Sequence, residues 1–244
     1  MEIRICNTSK DLGKSAAKYV AQVLRDTIAE KGSARIALST GASQFDTLKA
    51  LVEEEGIKWE CVEMFHLDEY VNLPESHVAS FRKYLKERFV AKVGKLKAAH
   101  FVDGTPECIA HLTEEIRREP IDIGLIGIGE NGHIAFNDPP ANFDTKEAYI
   151  VVDLNERCKK QQMGEGWFAT IDEVPKQAVS MTCHQIMLCR RIVSCVPYGV
   201  KAEAVKNTLF AKETTNTVPA TLLKEHPDFI LYLDRDSASE ILRF

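Results

Sequence analysis

The stretch from Asp122 to Pro140, DIGLIGIGENGHIAFNDPP, gathers Asn131, His133, Asn137 and Asp138 just after an apolar run. His133 is the one side chain among them whose ordinary pKa lies near neutrality. Asp138 can orient the imidazole and stabilise its protonated form, an arrangement suited to acid–base catalysis. Asn131 can hydrogen-bond to the same ring but supplies no negative charge. A turn histidine that satisfies local hydrogen bonds is the plainer alternative, and these residues alone leave both readings open. The stretch also spells G-x-G-x-x-G through Gly127, Gly129 and Gly132. A dinucleotide site needs a helix to begin at the third glycine, with its N-terminus on the pyrophosphate. Pro139 and Pro140 stop any helix here after barely two turns. The helix of a βαβ unit is missing before the next strand, and Asp153 comes late for the ribose-binding acid. The pattern argues against NAD. The glycines instead let the backbone leave the strand sharply and approach a ligand closely.

Three more strand ends carry chemistry. In LSTGASQ (38–44), Ser39, Thr40, Gly41, Ala42 and Ser43 offer hydroxyls and backbone N–H groups at the start of a helix, a good phosphate cradle. The G-K-[ST] end of a P-loop is absent, and an ordinary capped turn reads equally well. In FHLDEY (65–70), Asp68 and Glu69 are adjacent carboxylates. On a strand they face opposite sides, so at most one enters a given site. Asp68 is a general-base candidate, although two solvated loop charges are the commoner case. In VPYGVKAEAV (196–205), Lys201 lies near a helix start, where the dipole disfavours a cation. It can join the helix terminus in binding an anion, or stand as a surface lysine.

The elements that must position these residues alternate. Ser9 is placed to cap a helix through about Lys31, with Leu12, Ala16, Val20, Leu24 and Ile28 on one face and Gly32 as its stop. Strands are expected at 34–40, at 62–70 and in IDIGLIGIG, YIVVDL, AVSMT, RIVSCVP and FILYLD. Helices are expected after the 38–44 turn, over Ser80–Val90, over Pro106–Glu119 and over Val200–Phe210. The fold class is α/β: a single Rossmann-like domain over 1–244, a mostly parallel sheet with helices on both faces, and no dinucleotide bound. Such sheets bind ligands beyond the carboxyl ends of their strands.

Composition narrows the partners. The net charge of -5 disfavours nucleic acid. The seven cysteines include no C-x-x-C, so neither a disulfide framework nor a zinc site is expected, only reduced and mostly buried thiols. No uncharged run reaches membrane-spanning length, and MEIRICNTSKD lacks the apolar core of a signal peptide. The expected compartment is the cytoplasm.

Taken together and in order, STGAS, FHLDEYVNLPESHVASF, GIGENGHIAFNDP and YGVKAEAV resemble the glucosamine-6-phosphate deaminase (isomerase) family. The resemblance implies conversion of D-glucosamine 6-phosphate and water to fructose 6-phosphate and ammonia. It implies that His133 opens the sugar ring, held by Asp138, that Asp68 moves a proton between C2 and C1, and that Ser39–Ser43 with Lys201 anchor the phosphate. No metal or organic cofactor is implied. The sister family, 6-phosphogluconolactonase, typically continues His-Thr-Ala-Ser where this chain reads His133-Ile134-Ala135-Phe136. The chain also departs from the deaminase pattern. Asn131 stands where many members have aspartate, and Asp138 where glutamate is usual. Gly166-Trp167-Phe168 replaces an arginine-bearing stretch. Ala148 and Ile150 stand where a basic effector site is expected, so no activation by N-acetylglucosamine 6-phosphate is expected. Alternatives are a galactosamine 6-phosphate enzyme, a lactonase-like hydrolase or a weakly catalytic sugar-phosphate sensor. The partner is a small sugar phosphate, and a homo-oligomer stays open.

Overall fold

The computed structural model describes residues 1–164 and 166–242. Among them run ten strands: β1 Glu2–Cys6, β2 Ala34–Leu38, β3 Val62–His66, β4 Asp68–Tyr70, β5 Ala98–His100, β6 Ile123–Leu125, β7 Tyr149–Asp153, β8 Gln177–Met181, β9 Ile192–Val196 and β10 Phe229–Asp234. Seven form one sheet in the order β1-β10-β9-β6-β2-β3-β5, and every pairing in it is parallel. Successive residues of a strand point to opposite faces. Ile36, Leu38 and Met64 accordingly pack with Leu12, Val20 and Leu24 of the helix Ser9–Lys31. Ala37 and Phe65 pack on the other face with Leu112 and Ile116 of the helix Pro106–Arg117. The expected α/β architecture is present, with helices on both faces.

Strand order decides where a ligand goes. From β2 the chain builds outward through β3 and β5; from β6 it builds the other way through β9 and β10, and the N-terminal β1 closes that edge. The reversal lies between β2 and β6, and a crevice opens at such a switch point. There the Ser39 amide donates to the Leu125 carbonyl at 3.0 Å, which joins the two loops that leave these strands.

Several expectations need correction. The run 62–70 is not one strand. It breaks at Leu67, and β4 enters a second, antiparallel sheet in the order β4-β8-β7. YIVVDL and AVSMT also lie in that second sheet rather than the parallel one. Residues 133–140 form no helix at all; Ile134 and Asn137 make an isolated antiparallel bridge instead. The cap of the first helix is Thr8, whose hydroxyl accepts from the Asp11 amide at 3.1 Å. Ser9 is the first helical residue, and its hydroxyl donates to Asp46 Oδ2 at 2.7 Å. Gly32 ends the helix in the left-handed conformation, as expected. Because Thr8 is the cap, Thr8→Ala is expected to lower stability by about 1 kcal/mol, measured by denaturant unfolding.

Candidate active site

The crevice holds a cavity of about 790 Å³ including its open mouth, within the range of small-molecule pockets. Ser39, Thr40, Gly41, Ala42, Ser43, Asp68, His133 and Lys201 all line it. Four segments separated by up to 162 positions therefore meet at one place, Ser39 to Lys201. Asn131 and Asp138 stand behind His133 rather than in the wall.

The glycine pattern now has a steric reason. A Cβ built on Gly129 would lie 2.1 Å from His133 Cε1 and 2.2 Å from Nε2. The imidazole lies directly on the glycine backbone, and no other residue type leaves room for it. Asn137 fastens the same loop from below. Its Nδ2 donates to the Ile134 and Met181 carbonyls, each at 2.8 Å. The Phe136 amide donates to Ser180 Oγ at 3.0 Å.

His133 Nδ1 lies 2.6 Å from Asn131 Oδ1 and 3.2 Å from Asp138 Oδ1. Asn131 Oδ1 also accepts from the His133 amide at 3.1 Å, and Asn131 Nδ2 donates to Asp138 Oδ1 at 3.0 Å. That network orients the amide. Both neighbours of Nδ1 are acceptors, so the network assigns the proton to Nδ1 and leaves Nε2 able to take one. Burial pushes the Asp138 carboxyl up, but hydrogen bonding and charge from His133, with a bond from Asn131, outweigh it and hold it below its ordinary value. Asp138 reaches the ring despite lacking the extra methylene of a glutamate.

The two adjacent carboxylates part as a strand requires. Glu69 is fully buried and accepts from Ser80 Oγ and the Arg82 amide at 2.8 Å, the Tyr70 amide at 3.0 Å, the Phe81 amide at 3.2 Å and Arg82 Nε at 3.3 Å. These bonds pin the start of the helix Phe81–Leu85, and Phe81 lines the cavity. Asp68 takes the other side and faces the cavity, also buried. Burial, with the Glu69 charge beside it, raises its carboxyl to about 8. Neither carboxylate is the solvated loop charge that base rates favour.

At the opposite end, Ser39 Oγ is buried and has no hydrogen-bond partner among the described residues. Because Ser39 lines the cavity, this hydroxyl is free to bond a ligand atom there. Lys201 is buried at the end of the 3-10 turn Gly199–Lys201, which leads into the helix Ala202–Phe210. Gly166, Trp167 and Phe168 do not line the cavity. Phe168 packs edge-on to Tyr70 at 5.5 Å between ring centres, so an apolar cluster occupies the place of the expected arginine.

Sequence reasoning missed Tyr198, Gln161 and Gln162, which also line the cavity. The glutamines sit on the helix Glu156–Gly164, which carries too few apolar residues to show a periodic stripe. Its one readable signal is Asn155, whose Oδ1 accepts from the Cys158 amide at 2.8 Å. Tyr198 has φ 79° and ψ 143°, a conformation that costs a non-glycine residue on the order of 1–3 kcal/mol.

The family described as glucosamine-6-phosphate isomerases/6-phosphogluconolactonase matches residues 7–231 of the chain. The chain belongs to this family. Glucosamine-6-phosphate deaminase 1 of Bacillus subtilis (strain 168) is 32% identical over 248 residues, covering 98% of this chain and 99% of that protein. Glucosamine-6-phosphate deaminase of Shouchella clausii (strain KSM-K16) is 34% identical over 232 residues, covering 91% and 92%. A solved structure of a monomeric glucosamine-6-phosphate deaminase is 30% identical and superposes with a TM-score of 0.86 over 98% of this chain and all of that one. The 6-phosphogluconolactonase of Trypanosoma brucei, at 16% identity and a TM-score of 0.76 over 98% of each chain, shares the fold. The resemblance carried by the four motifs holds over nearly the whole chain.

The buried carboxyl gives the family fold a pH signature in this chain. Asp68 keeps its proton up to about 8 when folded, but loses it near 3.8 when unfolded. The folded state therefore binds more protons between those values, and stability falls as pH rises through them. Asp68→Asn removes that loss. The variant is expected to gain stability over the native protein between pH 5 and about 8, read as a widening difference in thermal midpoint.

Proposed function

We propose that this chain is a glucosamine-6-phosphate deaminase. It converts D-glucosamine 6-phosphate and water to fructose 6-phosphate and ammonia. The observation that carries this reading is one cavity walled by a raised carboxyl, Asp68, and a histidine backed by a carboxylate, beside a hydroxyl-rich loop and a lysine. The names of the relatives and their near-complete coverage support it.

The phosphate binds the Ser39–Ser43 loop, with Ser39 Oγ as a donor and Lys201 supplying charge. That fixes the sugar with C1 and C2 toward Asp68. His133 Nε2 takes the proton of the anomeric hydroxyl and returns it to the ring oxygen, so the pyranose opens. Asp138 stabilises the imidazolium formed between those transfers. Asp68 in its ionised form, whose share grows as pH rises toward about 8, then removes the proton at C2 and delivers it to C1. The aldose becomes an imine of the ketose at C2. Water adds to that carbon, the C–N bond breaks, and ammonia leaves. A base is most effective when its pKa lies near the working pH, and burial brings a carboxyl there. All of this is proton transfer on a bound sugar, and it uses no metal or organic cofactor.

The lactonase relatives are too distant to favour hydrolysis of a lactone. Every residue given a role here comes from the four segments of one chain. Among the described residues no helix is long and apolar enough to cross a membrane, and all seven cysteines are free. The same proposal places the enzyme in the cytoplasm, in the breakdown of amino sugars.

Four outcomes are expected. Ammonia appears from glucosamine 6-phosphate, and neither galactosamine 6-phosphate nor 6-phosphogluconolactone is turned over comparably; binding without turnover would indicate a sensor instead. Asp68→Asn abolishes exchange of the C2 proton with solvent while substrate still binds, and full retained exchange removes Asp68 from its role. Asn131→Asp puts a charge where Oδ1 lies 2.6 Å from the ring, and raises the acidic limb of the pH–rate profile. N-acetylglucosamine 6-phosphate does not activate the enzyme: Ala148 is fully buried and neither it nor Ile150 carries charge, so strong stimulation in steady-state assays contradicts this.

A further inference from the structure

Two loops close the phosphate end of the cavity, and each enters a 3-10 turn through a residue in nearly the same backbone region. Gly41 precedes Ala42–Gln44 with φ 93° and ψ 169°. Tyr198 precedes Gly199–Lys201 with φ 79° and ψ 143°. That region is glycine's, because a Cβ there crowds the backbone. The first loop places glycine at this position. The second places tyrosine there, with a glycine one residue later. Gly199 has no steric need to be glycine: a Cβ on it would meet nothing closer than Asp236 Cβ at 4.0 Å.

The surroundings hold Tyr198 in this conformation from both ends. Its amide donates to both oxygens of the buried Asp234, at 3.2 and 3.0 Å. Its carbonyl accepts from the Lys201 amide at 3.0 Å. Its phenol lies toward Ser9, whose hydroxyl donates to Asp46 Oδ2 at 2.7 Å. The tyrosine is thus anchored through its backbone at the end of β10 and lines the cavity beside Lys201. Beyond it stands the Asp46 carboxylate, which repels a second negative group.

We propose that Tyr198 is a specificity-determining residue, whose ring limits this end of the cavity to a single phosphomonoester group. The proposal rests on the reading of Ser39–Ser43 and Lys201 as the phosphate cradle. A lone phosphate fits between that loop and Lys201. A diphosphate meets the ring and, past it, the charge of Asp46.

Binding of inorganic phosphate and of pyrophosphate tests this by calorimetry on the native protein, Tyr198→Gly and Ser9→Ala. The native protein is expected to prefer phosphate by about tenfold, a typical discrimination for pocket shape. Tyr198→Gly relieves the backbone and removes the ring, so the preference falls to about threefold or less. Ser9→Ala removes the hydroxyl that holds Asp46 behind the ring and moves the preference the same way by a smaller factor, which keeps the test alive where Tyr198→Gly does not fold. An unchanged preference in a Tyr198→Gly protein that melts cooperatively overturns the role of Tyr198 and leaves the cradle standing. Failure of the native protein to bind either anion overturns the cradle and this proposal with it. Neither result depends on whether glucosamine 6-phosphate is deaminated.

Discussion

The candidate active site depends on placing two adjacent carboxylates in the interior and satisfying only one of them locally. Glu69 is surrounded by five donors from Ser80, Tyr70, Phe81 and Arg82, so its charge is stable without water. Asp68 is desolvated beside that charge and opens onto the cavity. The break at Leu67 makes this possible. It moves the chain from the parallel sheet into the small antiparallel one, and the pleat of β4 then sends Glu69 one way and Asp68 the other. The second sheet therefore holds the candidate site together: β8, through the Met181 amide on the Leu67 carbonyl at 2.7 Å and through Ser180, anchors both the Asp68 strand and the His133 loop.

The histidine loop is built on the opposite principle, close approach rather than isolation. Gly129 gives up its side chain so that the imidazole can lie against the backbone. Asn131 and Asp138 then share Nδ1, and the pair fixes which nitrogen is left to exchange protons. The topological switch between β2 and β6 brings this loop beside Ser39–Ser43. In the proposed reaction, proton transfer and anion binding are separated along one crevice, each supplied by a different loop. Neutral Asn131 in contact with the ring leaves Asp138 as the only carboxylate hydrogen-bonded or ion-paired to His133 among the described residues.

Most of the site was legible because short motifs at strand ends carry their own chemistry. STGAS, the His133 turn and Asp68 announce roles through residue type and spacing, and a strand-end rule places them together. The second sheet was not legible. Residues 62–70 read as one apolar run, and nothing in Leu67 marks a change of sheet. YIVVDL and AVSMT have strand composition, but pairing direction is decided by tertiary partners. Ser9 and Thr8 are both good caps, and one residue separates them. Tyr198 left no trace, since the glycine that signals a left-handed turn stands beside it at 199. The helix bearing Gln161 and Gln162 is polar throughout most of its length, so periodicity could not reveal it.

The central claim is that burial beside Glu69 turns Asp68 into a base that works near neutral pH. Carbon-13 NMR of the Asp68 side-chain carboxyl, assigned by its loss in Asp68→Asn, measures this directly in the free protein. The account predicts a titration midpoint near 8. A midpoint near the ordinary aspartate value of 3.8 would contradict it.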